Sequence, residues 1–198
     1  MDFANTVRSP FSQKDALTGW ADLVAFLLAA GLVAREHGEG LIELGRAEPK
    51  ATAQVFASAF ELRDAVRSIL AARAAGVAVQ PKWVDPINSI LRVTEGYDQL
   101  LRLDDPPGGE QQWRLGFVAR RERLEWLLAA IARSAAQLVA EGRDAPVRKC
   151  ASPKCVLYFY DTSRTGGRRW CSMAVCGNRA KVARHARRAP PQHDGGSA

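Results

Sequence analysis

Arg148-Lys149-Cys150-Ala151-Ser152-Pro153-Lys154-Cys155 and Arg169-Trp170-Cys171-Ser172-Met173-Ala174-Val175-Cys176-Gly177-Asn178-Arg179 hold all four cysteines of this 198-residue chain. They form two Cys-x4-Cys pairs separated by fifteen residues. A piece of roughly 40 residues buries too little surface to fold without a staple. A bound metal supplies the missing stability, because its binding free energy becomes folding free energy. Four thiolates in a tetrahedral array suit zinc, while an iron–sulfur cluster and free thiols are the alternatives. Short cysteine pairs flanking a β-like segment favour Zn2+, with Cys150, Cys155, Cys171 and Cys176 as ligands.

Between the pairs, Val156-Leu157-Tyr158-Phe159-Tyr160 has strand composition. Asp161–Gly167 reads as a turn-rich loop carrying Arg164, and Arg168-Arg169-Trp170 as a second strand returning to the metal. A helix is expected over Asn178–Arg188, with the last ligand in its first turn. The outline is a treble-clef-like finger whose small core is Tyr158, Phe159, Trp170 and Met173.

Charge is distributed unevenly. The net charge is +7, yet residues 148–188 alone hold eleven basic side chains and a single acid, Asp161. Such asymmetry points to a polyanion. Lys181, Arg184, Arg187 and Arg188 share one side of the terminal helix by i, i+3 and i+4 spacing. Arg164, Arg168 and Arg169 come from the hairpin, and Asn178 and Arg179 have the chemistry for base or phosphate contacts. The cluster suits duplex DNA; an RNA- or protein-binding adaptor is the alternative.

Upstream the chain lacks cysteine and reads as mainly helical. A helix beginning near Thr18 carries Trp20, Leu23, Val24, Leu27 and Leu28 and stops at Gly31. Further helices are expected over Arg35–Ala47, 50–75 and Trp83–Val93. The longest stripe runs through Phe56, Phe60, Val66 and Leu70 and includes Arg63. An arginine on an apolar face is either paired internally or placed to bind an anion. Alternation at Leu101 and Leu103, and at Trp113, Leu115 and Phe117, brackets Asp105-Pro106-Pro107-Gly108-Gly109 and predicts a β-hairpin. Leu124, Leu127, Leu128, Ile131, Ala135, Leu138 and Val139 mark the last helix, ending near Gly142 before a hinge at Ala145-Pro146. Asp2–Val7 reads as extended.

The fold class is therefore α+β, mainly helical. A helical domain spans 1–145, the finger 146–188 and a disordered tail 189–198. No catalytic constellation stands out, so no enzyme is expected. The start has no signal-peptide pattern, and the apolar run Leu23–Ala34 is too short to span a bilayer. A cytoplasmic protein without membrane association is expected.

The segments Cys150-x4-Cys155, Phe159-Tyr160-Asp161-x-Ser163-Arg164 and Arg168-Arg169-Trp170-Cys171-Ser172-Met173-x-x-Cys176-Gly177-Asn178-Arg179-x-Lys181 resemble the CGNR zinc finger. Asp2-Phe3-x-Asn5-Thr6-Val7, Trp20-x-Asp22-Leu23 and Leu62-Arg63 resemble the ABATE domain that usually precedes it, although members usually carry further residues, including a strand, before the first of these. Together they look like bacterial stress-induced transcription regulators. The resemblance implies a zinc-dependent DNA-binding finger and a domain that senses a small molecule, with Asn5, Thr6 and Arg63 as candidates for a shared pocket. A homodimer is a further expectation.

Overall fold

The computed structural model describes residues 1–7, 15–102, 113–120, 123–141 and 146–188. The helical part is built round one long element. Pro49 opens helix α3 (Pro49–Ala75), where its missing N–H costs nothing, and Gly76 closes it with a φ of 69°. Around it lie α1 (Trp20–Ala29), α2 (Gly38–Ala47), α4 (Asp85–Val93) and α5 (Trp126–Ala140). The buried stripe of α3 runs through Val55, Ala59, Leu62, Val66, Ile69 and Leu70. Phe56 and Phe60 flank it, half-buried and edge-to-face at 5.0 Å. The stripe is broader than the sequence suggests because neighbours approach α3 from several sides. Each fully buried Leu or Ile stabilises the fold by about 1.5–3 kcal/mol.

The first turn of α1 departs from expectation. Gly19, not Thr18, takes the N-cap position. Thr18 instead donates its N–H at 2.7 Å and its hydroxyl at 2.5 Å to the Asp22 carboxylate, so the side chain that holds the first turn is the acid inside the helix. The indole of Trp20 locks α1 to α2 by donating to Leu41 O at 2.7 Å. Gly45 makes this approach feasible, since a Cβ there would lie 2.5 Å from Trp20 Cδ1.

The hairpin begins five residues earlier than its alternation suggests. Strand β1 (Gly96–Arg102) pairs antiparallel with β2 (Trp113–Ala119), setting Leu100 opposite Leu115 and Asp98 opposite Phe117. Leu103 and the Pro-Gly loop lie outside the described residues. Arg133 of α5 ties the base of the ribbon down, bonding Asp98 at 2.7 Å and stacking over Phe117 at 4.3 Å. Tyr97 near the base, and Leu100, Trp113 and Leu115 farther out, are exposed.

Asp2–Val7 is not extended. Phe3–Asn5 forms a 3-10 turn closed by Thr6 N–H on Phe3 O. No strand pairs with the backbone of this segment among the described residues; turn bonds, Ala16 N–H on Thr6 O and the Arg67 guanidinium on Ala4 O satisfy it while Phe3 and Ala4 enter the core. The core then continues into the cysteine module: Val147 and Tyr158 belong to the same cluster as Leu62 and Leu128. No helix among the described residues is long and apolar enough to cross a membrane.

Candidate metal centre and nucleic-acid interface

The module following Pro146 is not held by the expected hairpin. Strand β4 (Tyr158–Tyr160) pairs antiparallel with β3 (Val147–Lys149), upstream of the first cysteine. Arg168-Arg169-Trp170 forms no strand; Arg169 O, accepting from Ala151 N–H at 2.9 Å, is its backbone hydrogen bond to the first cysteine loop. The reason lies in Arg168. Its N–H donates to buried Asp161 at 3.1 Å, while its guanidinium bonds Trp170 O at 2.9 Å and also Cys171 O, and stacks over Phe159 at 4.6 Å. These local bonds fold the segment back on itself.

The single acid of the module organises its loop. Asp161 also accepts from the Ser163 hydroxyl at 2.5 Å and pairs with Arg148 at 2.8 Å. These partners, the Ser163 hydroxyl foremost, hold its carboxyl below the usual aspartate value despite burial.

The four sulfurs converge. Each lies within 4.8 Å of the others, with Cys155–Cys171 and Cys171–Cys176 both at 3.7 Å. A tetrahedral ZnS4 site with Zn–S of about 2.3 Å has sulfur edges of about 3.8 Å, whereas a disulfide needs about 2.05 Å. All four cysteines are free. Cys150, Cys155 and Cys176 are buried among Phe159, Leu157 and Trp170. Burial pushes Cys171 well up, and lifts Cys176 to about 11. At Cys150 burial is outweighed by N–H donation from Cys171 and Ser152, which holds its thiol below the usual cysteine value. Apolar burial thus opposes ionisation at two of the sulfurs, and a divalent cation is what stabilises four thiolates so close together.

Cys176 sits in a π-helical turn, Met173–Gly177, rather than in the first turn of the final helix. Ser172 caps that turn by accepting from Val175 N–H at 3.3 Å. Helix α6 (Asn178–Arg188) follows directly. Gly177 is packed so closely against Met173 Sδ that a Cβ would collide with it. Met173 itself is 55% exposed and Tyr158 joins the main core, so the finger's small core keeps only Phe159 and Trp170 of the four aromatic and sulfur side chains expected there.

The basic residues of the module stand in the loop after β4 and along α6. Arg164, Arg168, Arg169, Asn178, Arg179, Lys181 and Arg184 are all exposed. Arg169 stacks over Trp170 at 5.2 Å, and Asn178 Nδ2 donates to Ala174 O at 3.0 Å. Arg187 and Arg188 are in α6, with only their helical backbone described.

The sequence-selected residues of the helical part are engaged internally. Arg63 is 3% exposed and makes a two-pronged ion pair with Asp15, both contacts at 2.7 Å. It also donates to Thr6 Oγ1 at 3.1 Å and lies over Phe60 at 4.2 Å. Asn5 reaches the finger: its Nδ2 donates to Tyr158 O at 2.9 Å and its Oδ1 accepts from Tyr158 N–H at 3.1 Å. Arg67, one turn beyond Arg63, donates to Ala4 O and Val156 O and so spans the same junction. Its i+4 spacing from Arg63 was the available sequence signal; Asp15 offered none. A cavity of about 250 Å³ lies beside this junction. Its walls include Phe3, Phe26, Val66, Ile131 and Ser134, with Tyr160 of β4, but none of Asn5, Thr6 and Arg63.

A four-cysteine centre on a helical body defines a zinc-finger protein. Residues 147–189 match the CGNR zinc finger, and residues 1–142 match ABATE, described as "Putative stress-induced transcription regulator". The chain belongs to the ABATE family, and its metal is Zn2+. Comparison with curated proteins returns no match.

Proposed function

We propose that the protein is a zinc-dependent, duplex-DNA-binding transcription regulator of the cytoplasm, with no catalytic activity, whose helical part senses a small molecule. The observation that carries the first half is the union of the sulfur cluster with exposed basic side chains. The ligand Cys176 lies immediately before α6, so metal loading and presentation of Arg179, Lys181 and Arg184 are one event. Arg164, Arg168, Arg169, Asn178, Arg187 and Arg188 extend the phosphate-facing surface. Ion release from the DNA then makes affinity fall steeply with salt.

The sensing half rests on the cavity beside the junction. A ligand there would touch Tyr160 of β4 and, through Asn5 and Arg67, the segment that holds the finger. Asn5, Thr6 and Arg63 serve this role by fixing the 1–7 segment that forms its wall. Exposed Leu100, Trp113 and Leu115 favour a homodimer through the ribbon.

The test is fluorescence anisotropy of labelled duplex with zinc-loaded full chain over a range of salt. Binding that weakens with salt, and disappears on chelation or in Cys171→Ser, is expected. Zinc-loaded protein that ignores duplex at low salt overturns the reading.

A further inference from the structure

Helix α6 is unlike the other helices of the chain. Of its first seven side chains only Ala180 is even half-buried. Its packing is against the π-turn that precedes it. A helix this solvated and basic has no apolar seam of its own to dock within the chain. Yet large apolar side chains project from it and its leading turn: Met173 is 55%, Val175 38% and Val182 68% exposed. Single exposed apolar residues are ordinary. Asn178, Arg179 and Val182 of α6 stand at i, i+1 and i+4 and share one face, and Val175 lies in the π-turn that leads into them. Lys181 lies beside that face, and Arg184 on the far side of the helix.

The face therefore combines an amide, a guanidinium and a valine, with a cation, Lys181, at its edge. The major groove offers matching chemistry. Asn reads adenine, Arg reads guanine, and a small apolar side chain packs on the thymine methyl. A surface made only for phosphates has no use for an exposed valine in its centre. Asn178 is already oriented by its bond to Ala174 O, which limits the entropy lost on contact.

We infer that α6 is the sequence-reading element of the protein, inserted in the major groove, with Val182 selecting a thymine methyl group beside the Asn178–Arg179 pair. The inference rests on the duplex-binding reading and deepens it. It separates the finger's basic residues by task. Lys181 positions the helix on phosphate, while Val182 chooses the sequence.

The experiment selects bound duplexes from a pool with a randomised core, using zinc-loaded full chain. The enriched duplex is then remade with deoxyuridine for thymidine, which removes only the methyl groups. Each form is titrated with wild type and with Val182→Ser. Removing one methyl contact should weaken wild type roughly four-fold, from about 0.8 kcal/mol per buried carbon. Val182→Ser should bind both forms equally. Val182 is exposed, so unchanged zinc content and helicity will show that the variant folds. If wild type binds thymine and uracil duplexes alike, or if Val182→Ser keeps the difference, the valine assignment is wrong and the DNA reading stands. If no duplex is enriched and none binds at low salt, both fall.

Discussion

Removing the carboxylate partner of Arg63 is the sharpest test of what that arginine does. Arg63 is 3% exposed, whereas the Asp15 side chain is 30% exposed. Breaking a fully buried pair from one side costs about 3–5 kcal/mol, because a charge is left without compensation. Water can reach the Asp15 side of this pair, so the expected cost of Asp15→Ala is nearer ~2–3 kcal/mol. Thr6 Oγ1 and the Phe60 ring remain as partners, which also argues for the lower end. Arg63 Nε is buried and has no hydrogen-bond partner among the described residues, so the guanidinium has no reserve contact there. With an m-value of about 2–3 kcal/mol/M, the urea midpoint of zinc-loaded protein should fall by roughly 1 M. The double variant Asp15→Leu, Arg63→Met should recover most of the loss, since apolar replacement of both partners is close to neutral. The pH dependence has a definite sign. Burial tends to raise the Asp15 carboxyl, but the Arg63 hydrogen bonds outweigh it and hold the folded value below 3.8. The gap between wild type and Asp15→Ala is therefore complete above the ordinary aspartate value and shrinks as pH drops through the folded one. A single-variant cost under ~0.5 kcal/mol, or single and double variants that add without coupling, would refute the argument.

Three other outcomes follow from particular contacts. Asn5→Ala removes two bonds to the Tyr158 backbone and should cost about 1–3 kcal/mol; native-state hydrogen exchange should show the loss concentrated in β4, and uniform loss across α3 and α5 would count against it. Arg168→Ala should lower zinc affinity roughly 10–100-fold, because its guanidinium holds the backbone around Cys171. Arg164→Ala should leave zinc affinity alone and weaken duplex binding, so competition with a zinc indicator distinguishes the two arginines; equal effects on zinc would contradict the assignment. Gly45→Ala places a Cβ against Trp20 and should destabilise by about 1–3 kcal/mol in chemical denaturation, and a neutral result would mean that α1 and α2 separate at little cost.

The elements read best from sequence are those whose signal is local. The Cys-x4-Cys spacing exposed the metal centre, and long apolar periodicity exposed α3 and α5. Charge asymmetry located the basic surface. What stayed hidden depends on residues far apart in the chain. Val147-Arg148-Lys149 is too short and too basic to read as a strand, and becomes one only because Tyr158–Tyr160 lies beside it. The family resemblance marks Asn5 as a pocket candidate, but its amide matches the backbone of a residue 153 positions away. Asp15 had no local pattern to mark it as the partner of Arg63. The Arg168 segment reads as a strand from composition, yet a buried acid and two carbonyls draw its donors elsewhere.

The Asn5–Tyr158 bonds also bear on how the chain is made. A ribosome adds roughly 5–20 residues per second. Asn5 is therefore synthesised about 8–30 s before the backbone it is to hold. During that time Phe3 and Ala4 can settle on α1 and α3, but the Asn5 amide must stay hydrated or bind something else. The segment around Tyr158 thus completes the fold around Asn5, and a nascent chain stalled before β4 has a helical body with the Phe3–Asn5 turn unfastened.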